Sequence, residues 1–297
     1  PPYPALDLVS RLTYAPILTS RGCPFSCSYC ASSFLESQMR QRSPESVFDE
    51  IRQWHEKYGV FNFAFYDDAL LINPEKHIIP LLEKILEYSL KNQSMPHSKF
   101  FMTNSNQSMP NSELPMSNAN QSMPNSNLSI QNDKPYIHPL SFHTPNALHI
   151  RQITRNVADM MFKTGFQTIR LGLETTDFST SRKEDIKVRQ DEFYHAVAML
   201  KQAGFKKEQI GAYLLCALPY QNLDDVEHSI MLVNQAGIMP VLAYYTPIPH
   251  TRMWKKALAC SEFDLENNPL LTNNALLPCL NKKEDIKRIS ELKKMTR

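Results

Sequence analysis

The sequence alternates short apolar strands with amphipathic helices, and this alternation most limits the folds open to the chain. Apolar runs predict strands at residues 15–19, 60–66, 140–144, 166–173, 210–218 and 239–245. Between most of these runs, apolar residues recur at helical spacing. Strands that alternate with helices form a parallel sheet with right-handed connections. The sequence therefore predicts an α/β fold with a six-stranded parallel sheet.

Local signals mark several helix boundaries. Ser43, Pro44 and an acidic residue in the first turn predict a helix start, and Gly59 predicts its end. Asn73 and a following proline predict the start of a second helix. Residues 150–164 are predicted to form one helix with a single apolar face.

Three cysteines follow the first predicted strand. Cys23, Cys27 and Cys30 have the spacing C-x3-C-x2-C. Three thiolates on one tight loop can hold three irons of a [4Fe–4S] cube, which normally has four cysteine ligands. No fourth cysteine lies nearby, so one iron would stay open to another ligand, as a reactive cluster requires. Two alternatives remain, namely buried or disulfide-paired thiols and a zinc site.

The residues around these cysteines resemble a known family. Residues 16–31 are similar to the signature C-x3-C-x-aromatic-C of the radical S-adenosylmethionine (radical SAM) enzymes, with Tyr29 at the aromatic position. Residues 63–68, 169–175 and 244–249 resemble the branch of that family that a cobalamin-binding domain often precedes. The resemblance extends over residues 1–254 and implies an open (β/α)6 partial TIM barrel, with the site at the carboxyl ends of the strands.

The resemblance implies an enzyme that binds a [4Fe–4S] cluster and S-adenosylmethionine. In such enzymes the reduced cluster cleaves the cofactor to methionine and a 5′-deoxyadenosyl radical, which abstracts hydrogen from a substrate. The sequence does not identify that substrate. A low-potential electron donor of the ferredoxin or flavodoxin type is the implied partner. Cobalamin would enter only through a domain that precedes Pro1.

Two further hypotheses belong to other functional classes. One is a degenerate relative that binds a cluster without catalysis and acts as a binding or scaffold protein. The other is an iron–sulfur or zinc scaffold that binds no S-adenosylmethionine. Cleavage of the cofactor after reduction distinguishes the first from an active enzyme, and cofactor binding distinguishes the second.

The resemblance also implies roles for individual residues. Cys23, Cys27 and Cys30 are the expected metal ligands. The expected cofactor-binding residues are an aromatic beside the adenine, carboxylates that meet the ammonium group and a polar residue at the end of the fourth strand: Tyr29, Asp67, Asp68 and Glu174. Because adjacent strand residues face opposite sides, we expect only one of the two aspartates to enter the site.

Each of these roles has a structural alternative. Tyr29 could simply pack on the first strand, the aspartates could be solvated or cap a helix, and Glu174 could pair with Arg170 or Arg182. One cation of Arg182, Lys187 and Arg189 is expected to meet the cofactor's carboxylate. His143, at the end of the third strand, could face a substrate or be structural.

One segment departs from the family's pattern. Many relatives have Gly-Leu-Pro-Gly-Gln after the fifth strand, whereas this chain has Ala217, Leu218, Pro219, Tyr220 and Gln221. Both glycines are replaced. We expect the added Cβ atoms and the tyrosine ring to crowd the adenine site if the backbone approaches the cofactor there.

The chain is predicted to divide into three parts. Residues 1–14 form a linker from a preceding domain, residues 15–254 the radical SAM core, and residues 255–297 a helical extension ending in a solvated basic helix. Within the core, Asn-Gln-Ser-Met-Pro recurs at residues 92, 106 and 120. The segment 92–133 is polar and is therefore predicted to be a disordered insertion.

Composition excludes several other classes. The net charge of +2 does not indicate a nucleic-acid or membrane surface, and no apolar run is long enough to predict a membrane span. Six cysteines in a clustered and scattered arrangement indicate a reducing, cytoplasmic compartment. None of the seven glycines forms a dinucleotide or P-loop motif.

Overall fold

The computed structural model describes residues 3–9, 12–92, 140–178 and 188–297. The repeats of the predicted insertion and the candidate residues Arg182 and Lys187 lie outside these ranges. The strands are β1 Ala15–Ile17, β2 Ser20–Arg21, β3 Arg40–Gln41, β4 Asn62–Phe65, β5 Ser141–His143, β6 Phe166–Glu174, β7 Ile210–Cys216 and β8 Met239–Tyr244. The helices are α1 Ser32–Leu35, α2 Pro44–Tyr58, α3 Ile78–Asn92, α4 Arg155–Lys163, α5 Gln190–Ala203, α6 Leu223–Gln235, α7 Trp254–Cys260 and α8 Lys283–Lys294.

Six strands form one parallel sheet in the order β1-β4-β5-β6-β7-β8. Spatial order follows chain order, as right-handed crossovers through α2 to α6 produce. The predicted α/β architecture is confirmed. The sequence did not reveal β2 and β3, which form a separate antiparallel ribbon and have only two residues each.

The main hydrophobic core lies between the sheet and its helices. Phe63, Phe65, Phe142 and Phe166 stack across β4, β5 and β6 with ring centroids 5.5–5.8 Å apart, and each is at most 1% exposed. Aromatic pairs at this spacing add about 0.5–1.5 kcal/mol to the effect of burial. Because side chains alternate along a strand, the neighbouring residues face the barrel interior.

Helix caps explain which predicted boundaries hold. The Ser43 side chain accepts a hydrogen bond from Ser46 N, and Gly59 ends α2 in the left-handed conformation, as predicted. The single helix predicted over residues 150–164 is wrong. A short 3-10 turn at Ile150–Gln152 precedes α4, because Thr154 caps the new start by accepting from Val157 N. Similarly, a 3-10 turn at Pro74–Lys76 precedes α3.

The end of the chain is helical, but α8 is not a purely solvated face. Ile289 and Leu292 of α8 are buried in the main core. Arg288 forms ion pairs with Glu227 and, at 3.5 Å, with Asp224, both on α6. This helix therefore packs on the barrel through an apolar stripe. Within the described residues, no helix combines the length and apolar character that a bilayer crossing requires.

Candidate active site

The cysteine loop begins at the carboxyl end of β1 and is closed at its base by the short ribbon. Ser20 pairs with Gln41 and Arg21 with Arg40, so residues 22–39 form a loop with a fixed neck. Gly22 has φ +81°, and a Cβ there would lie 3.0 Å from the Gln38 carbonyl oxygen. Only glycine combines this backbone conformation with so close an approach.

A buried network around Asp67 anchors the same neck. Thr19 and Ser20 each donate a backbone N–H and a hydroxyl to the Asp67 carboxylate, with donor distances of 2.5–3.2 Å. His77 Nε2 lies 2.7 Å from Thr19 Oγ1 and extends the network. Burial raises the pKa of Asp67, and the hydrogen bonds from Ser20 and Thr19 oppose that shift. Asp67 is thus enclosed by donors from the start of the cysteine loop.

A cavity of about 390 Å³ opens beside the cysteine loop. It brings together the three cysteines with three other predicted site residues, Tyr29, Asp68 and Glu174. Asp67 is not part of its lining. The Asp67 carboxylate is held in the network at the base of the loop. Of the two aspartates expected to meet the cofactor, Asp68 therefore remains the candidate.

The three cysteines of the loop line one cavity. None of the six cysteines, all in the described residues, forms a disulfide, so the disulfide alternative is wrong for this structure. Ser32 N donates to Cys30 Sγ at 3.4 Å, and Ser32 Oγ lies 3.2 Å from the same sulfur. In the second contact the Cys30 thiol donates to the hydroxyl, whereas the backbone N–H of Ser32 is a donor that would stabilise a thiolate at Cys30.

The zinc alternative requires ligands that converge on a single ion. Among the residues that the structure describes, no three His, Cys, Asp or Glu side chains do so. Zinc needs four ligand atoms within about 2.0–2.3 Å of the metal, whereas each thiolate of a cubane binds a different iron. Three soft thiolates on one loop are also compatible with a cluster in which each binds a different iron.

His149 is a cavity residue that sequence reasoning missed. Its Nε2 lies 3.7 Å from Cys23 Sγ, and its ring centroid is 4.3 Å from that of Phe25. It follows β5 by six residues. The rule that loops after parallel strands carry site residues could have found it.

The segment after β8 supports the cysteine loop from the other side. Met253 N donates to Ser28 O at 2.9 Å, and the Arg252 guanidinium donates to Ser26 O. Tyr29 packs against a second apolar cluster that includes Met253 and Tyr245. The position of Tyr29 therefore depends on residues more than 200 positions later in the chain.

Glu174 occupies a strained position at the end of β6. Its φ is +68°, and a register shift between β6 and β7 lies at Gly172/Glu174. The residue is 8% exposed and lines the cavity. Left-handed backbone at a non-glycine residue costs about 1–3 kcal/mol and is concentrated at functional sites. Among the described residues, Glu174 forms no ion pair with Arg170. Arg182, the other partner considered, lies outside those residues.

Two other candidates lie elsewhere. Arg189 pairs with Asp191 and Glu192 at the start of α5. His143 Nδ1 lies 3.0 Å from Thr168 Oγ1. Neither Arg189 nor His143 lines the cavity.

The segment that departs from the family pattern keeps the backbone that glycine would favour. Ala217 has φ +64° and Tyr220 has φ +60°. Gln221 stabilises the turn, since Leu218 N donates to its Oε1 at 3.2 Å and its Nε2 donates to Leu215 O at 2.9 Å. Tyr220 is 72% exposed and does not line the cavity, so its ring does not crowd the cavity as expected.

Replacing Tyr220 with glycine is expected to stabilise the fold by about 1 kcal/mol, because glycine has no steric penalty at positive φ. Ala217→Gly should gain less, since it also loses a buried methyl group. The midpoint of urea unfolding measures both effects. Tyr220→Ala is the matched control, because it removes the ring but keeps the strain. An equal gain in the alanine variant would contradict the strain argument.

The comparison with protein families agrees with this geometry. The profile of the Radical SAM superfamily matches residues 17–233, which include the cysteine loop and four complete strands of the parallel sheet, β4 to β7. The chain belongs to the Radical SAM superfamily. It is therefore of an enzyme class whose cofactors are a [4Fe–4S] cluster and S-adenosylmethionine and whose members need a reductant.

Curated proteins with similar sequences are only distantly related to this chain. An uncharacterized methyltransferase of Pyrococcus horikoshii is 23% identical over 282 residues, 92% of this chain and 48% of the relative. The chain thus spans about half of that protein. The bacteriochlorophyllide d C-12(1)-methyltransferase of Chlorobaculum tepidum is 33% identical over 79 residues, 26% of this chain and 17% of that protein.

Solved structures support the fold. The radical S-adenosylmethionine methyltransferase TsrM from Kitasatospora setae, with cobalamin and a [4Fe–4S] cluster bound, superposes with a TM-score of 0.57 at 13% identity, covering 84% of this chain and 38% of TsrM. The coproporphyrinogen III oxidase HemN from Escherichia coli superposes with a TM-score of 0.51 at 12% identity, covering 98% and 55%. The partial TIM barrel predicted from the sequence is confirmed.

Proposed function

We propose that this chain is the catalytic core of a radical SAM enzyme in which Cys23, Cys27 and Cys30 hold a [4Fe–4S] cluster. The observation that carries the proposal is the single cavity shared by these cysteines with Tyr29, Asp68 and Glu174. Three soft thiolates on one loop fit the cluster, and the polar residues opposite them fit a zwitterionic cofactor. The alternative of a degenerate scaffold predicts cluster binding without cofactor cleavage.

The bound cluster and cofactor together supply reductive cleavage of a carbon–sulfur bond and thereby a 5′-deoxyadenosyl radical. The chain's own residues position and protect this chemistry. Asp68 offers an exposed carboxylate to the cofactor's ammonium group, and Tyr29 offers an aromatic face beside the adenine. The loop after β5 lines the cavity through Asn146, Ala147 and His149 and limits access of water from that side. The segment after β8 instead holds the cysteine loop in place, because Met253 N donates to Ser28 O.

Methyl transfer is the reaction type we would test first. Three of the matched curated relatives are named as methyltransferases, and so is TsrM. Loss of a methyl group from S-adenosylmethionine leaves S-adenosylhomocysteine, whereas reductive cleavage leaves 5′-deoxyadenosine and methionine. We propose a ferredoxin- or flavodoxin-type protein as the electron donor. Cobalamin would be held by residues outside this chain.

Product analysis tests the proposal directly. The protein is reconstituted anaerobically, reduced with dithionite and supplied with S-adenosylmethionine. We expect slow release of 5′-deoxyadenosine and methionine without any substrate, and S-adenosylhomocysteine in addition once a methyl acceptor is present. An intact, reduced cluster that gives none of these products would favour the scaffold alternative.

Asp68→Asn is expected to weaken S-adenosylmethionine binding about 10- to 100-fold, because a charge-assisted hydrogen bond contributes about 1.5–3 kcal/mol. Iron content should not change, since Asp68 is not a proposed ligand. Anaerobic equilibrium dialysis measures the affinity. Asp49→Asn, on the exposed face of α2 beside Arg52, is the matched control. Equal affinity in both variants would remove Asp68 from the cofactor site.

A further inference from the structure

The inner face of the sheet carries small and polar residues. In β6, Ile169, Leu171 and Leu173 are fully buried in the core beneath the helices, so Arg170 and the alternate residues face the barrel interior. The same reasoning places the following residues inside: Ala64, Ser141, His143, Thr168, Arg170, Gly172, Gly211, Tyr213, Leu215, Val241 and Ala243. Bulky branched residues fill the interior of closed parallel barrels. Here β5 and β6 contribute small or polar residues to the interior, whereas β7 and β8 also contribute the branched Leu215 and Val241.

Arg170 places a positive charge in that interior without a carboxylate partner among the described residues. Its Nη1 donates to Ile169 O at 3.0 Å. The side chain lies over Gly211, where a Cβ would be 3.1 Å from Arg170 Cδ and Nη1. Gly211 therefore makes room for the guanidinium. Burying a cation without a counter-ion raises the free energy of the folded protein, and a bound anion would offset this cost.

The polar groups near Arg170 are uncharged, and Val241 lies beside its side chain at Gly211. The Tyr213 hydroxyl donates to Pro145 O at 2.7 Å. Burial, together with the nearby charge of Arg170, lowers the pKa of His143, so its imidazole is neutral at pH 7. Within the described part of the sheet, the carboxylate of β6 nearest to Arg170 is that of Glu174, four residues further along the strand.

The spacing suits a ligand that extends up to the cysteine loop. At about 3.3 Å per residue, Arg170 lies about 13 Å below Glu174 along β6. Gly172, between them, has no side chain, and Ala147 packs against it, with its Cβ 3.2 Å from where a Cβ of residue 172 would lie. Tyr213, a close neighbour of Arg170, lines the cysteine-loop cavity. A molecule in that cavity would therefore approach Arg170 beside Tyr213.

We propose that Arg170 binds an anionic group of the substrate, either a carboxylate or a phosphate, inside the barrel. This inference rests on the proposed function, because it takes the cysteine-loop cavity as the reaction site. The guanidinium fork matches both oxyanions with two parallel hydrogen bonds. The substrate is accordingly an acid or a phosphorylated compound that enters with its anion toward the floor of the barrel.

Anion titrations of the reconstituted protein test this proposal. Sodium acetate and sodium phosphate are added at ionic strength held constant with sodium chloride, and the thermal unfolding midpoint is recorded. We expect at least one anion to raise the midpoint saturably in the natural protein. Arg170→Met should weaken that apparent affinity about 10- to 100-fold. Arg155→Gln, on the exposed start of α4 beside Asp159, should behave like the natural protein.

Arg170→Lys keeps the positive charge but loses the paired donors of the guanidinium, and should retain part of the anion-dependent stabilisation. This variant tests the proposal even if Arg170→Met folds poorly. The anion that stabilises the protein identifies the substrate as a carboxylate or a phosphate compound. No midpoint shift with either anion, or equal shifts in Arg170→Met and Arg155→Gln, would overturn the proposal. The titration does not require cofactor cleavage. Anion binding without 5′-deoxyadenosine would therefore refute only the proposed function, and the reverse would refute only this site.

Discussion

Replacing Cys27 with alanine is expected to reduce the iron content from about four atoms per chain to nearly none. Cys27 is 8% exposed and lies in the cavity wall between the other two cysteines in sequence. A cubane held by two thiolates has two open irons, which water, oxygen and chelators attack. Anaerobic reconstitution followed by iron and sulfide analysis, with electron paramagnetic resonance of the reduced protein, measures the loss.

Cys216→Ala provides the matched control. Cys216 is fully buried on β7, and burial raises its pKa to about 11, so it remains a protonated thiol at neutral pH. Its replacement should leave the iron content unchanged. If the natural protein instead takes up one zinc with tetrahedral sulfur coordination and no iron, the cluster assignment fails.

The sequence was most informative where a residue pattern reflects local chemistry or strand periodicity. The cysteine spacing located the loop, and apolar runs located all six parallel strands. The ribbon of β2 and β3 was missed because two-residue strands are too short to show any periodicity. This ribbon nevertheless closes the neck of the cysteine loop, so a part of the site's geometry was not predictable.

The two aspartates show a second limit. Alternation along a strand implies that one of them enters the site, but β4 ends at Phe65, and beyond a strand's end alternation no longer decides which one. The hydrogen-bond donors of Thr19 and Ser20, 47 or 48 residues away in sequence, determine that Asp67 is enclosed. Long-range polar contacts of this kind leave no local signal.

The segment at Ala217 and Tyr220 shows a third. The loss of two glycines suggested a changed backbone and a crowded site. Ala217 and Tyr220 nevertheless adopt left-handed backbone, because the hydrogen bonds of Gln221 and the flanking strands fix the shape of the turn. The ring of Tyr220 is exposed to solvent. The fold here overrides residue preference at an expected cost of about 1 kcal/mol at each position.

Asp67→Ala is expected to lower the free energy of unfolding by about 2–5 kcal/mol, because it leaves buried donors of Thr19 and Ser20 without an acceptor. Asp67→Asn should cost less. Most of the hydrogen bonds converge on Oδ1, and an amide oxygen can occupy that place. Urea unfolding of the natural protein and both variants gives the order.

The same network should also govern how well the cluster forms. Asp67 joins the end of β4 to the first residues of the cysteine loop, so its loss frees the loop at its neck, and we expect the alanine variant to hold less iron than the asparagine variant. Asp68→Ala is the matched control, because Asp68 is exposed and lines the cavity, and its removal should change neither stability nor iron content. If Asp67→Ala proved as stable as Asp68→Ala, the anchoring role would be refuted, and Asp67 would again be a candidate cofactor ligand.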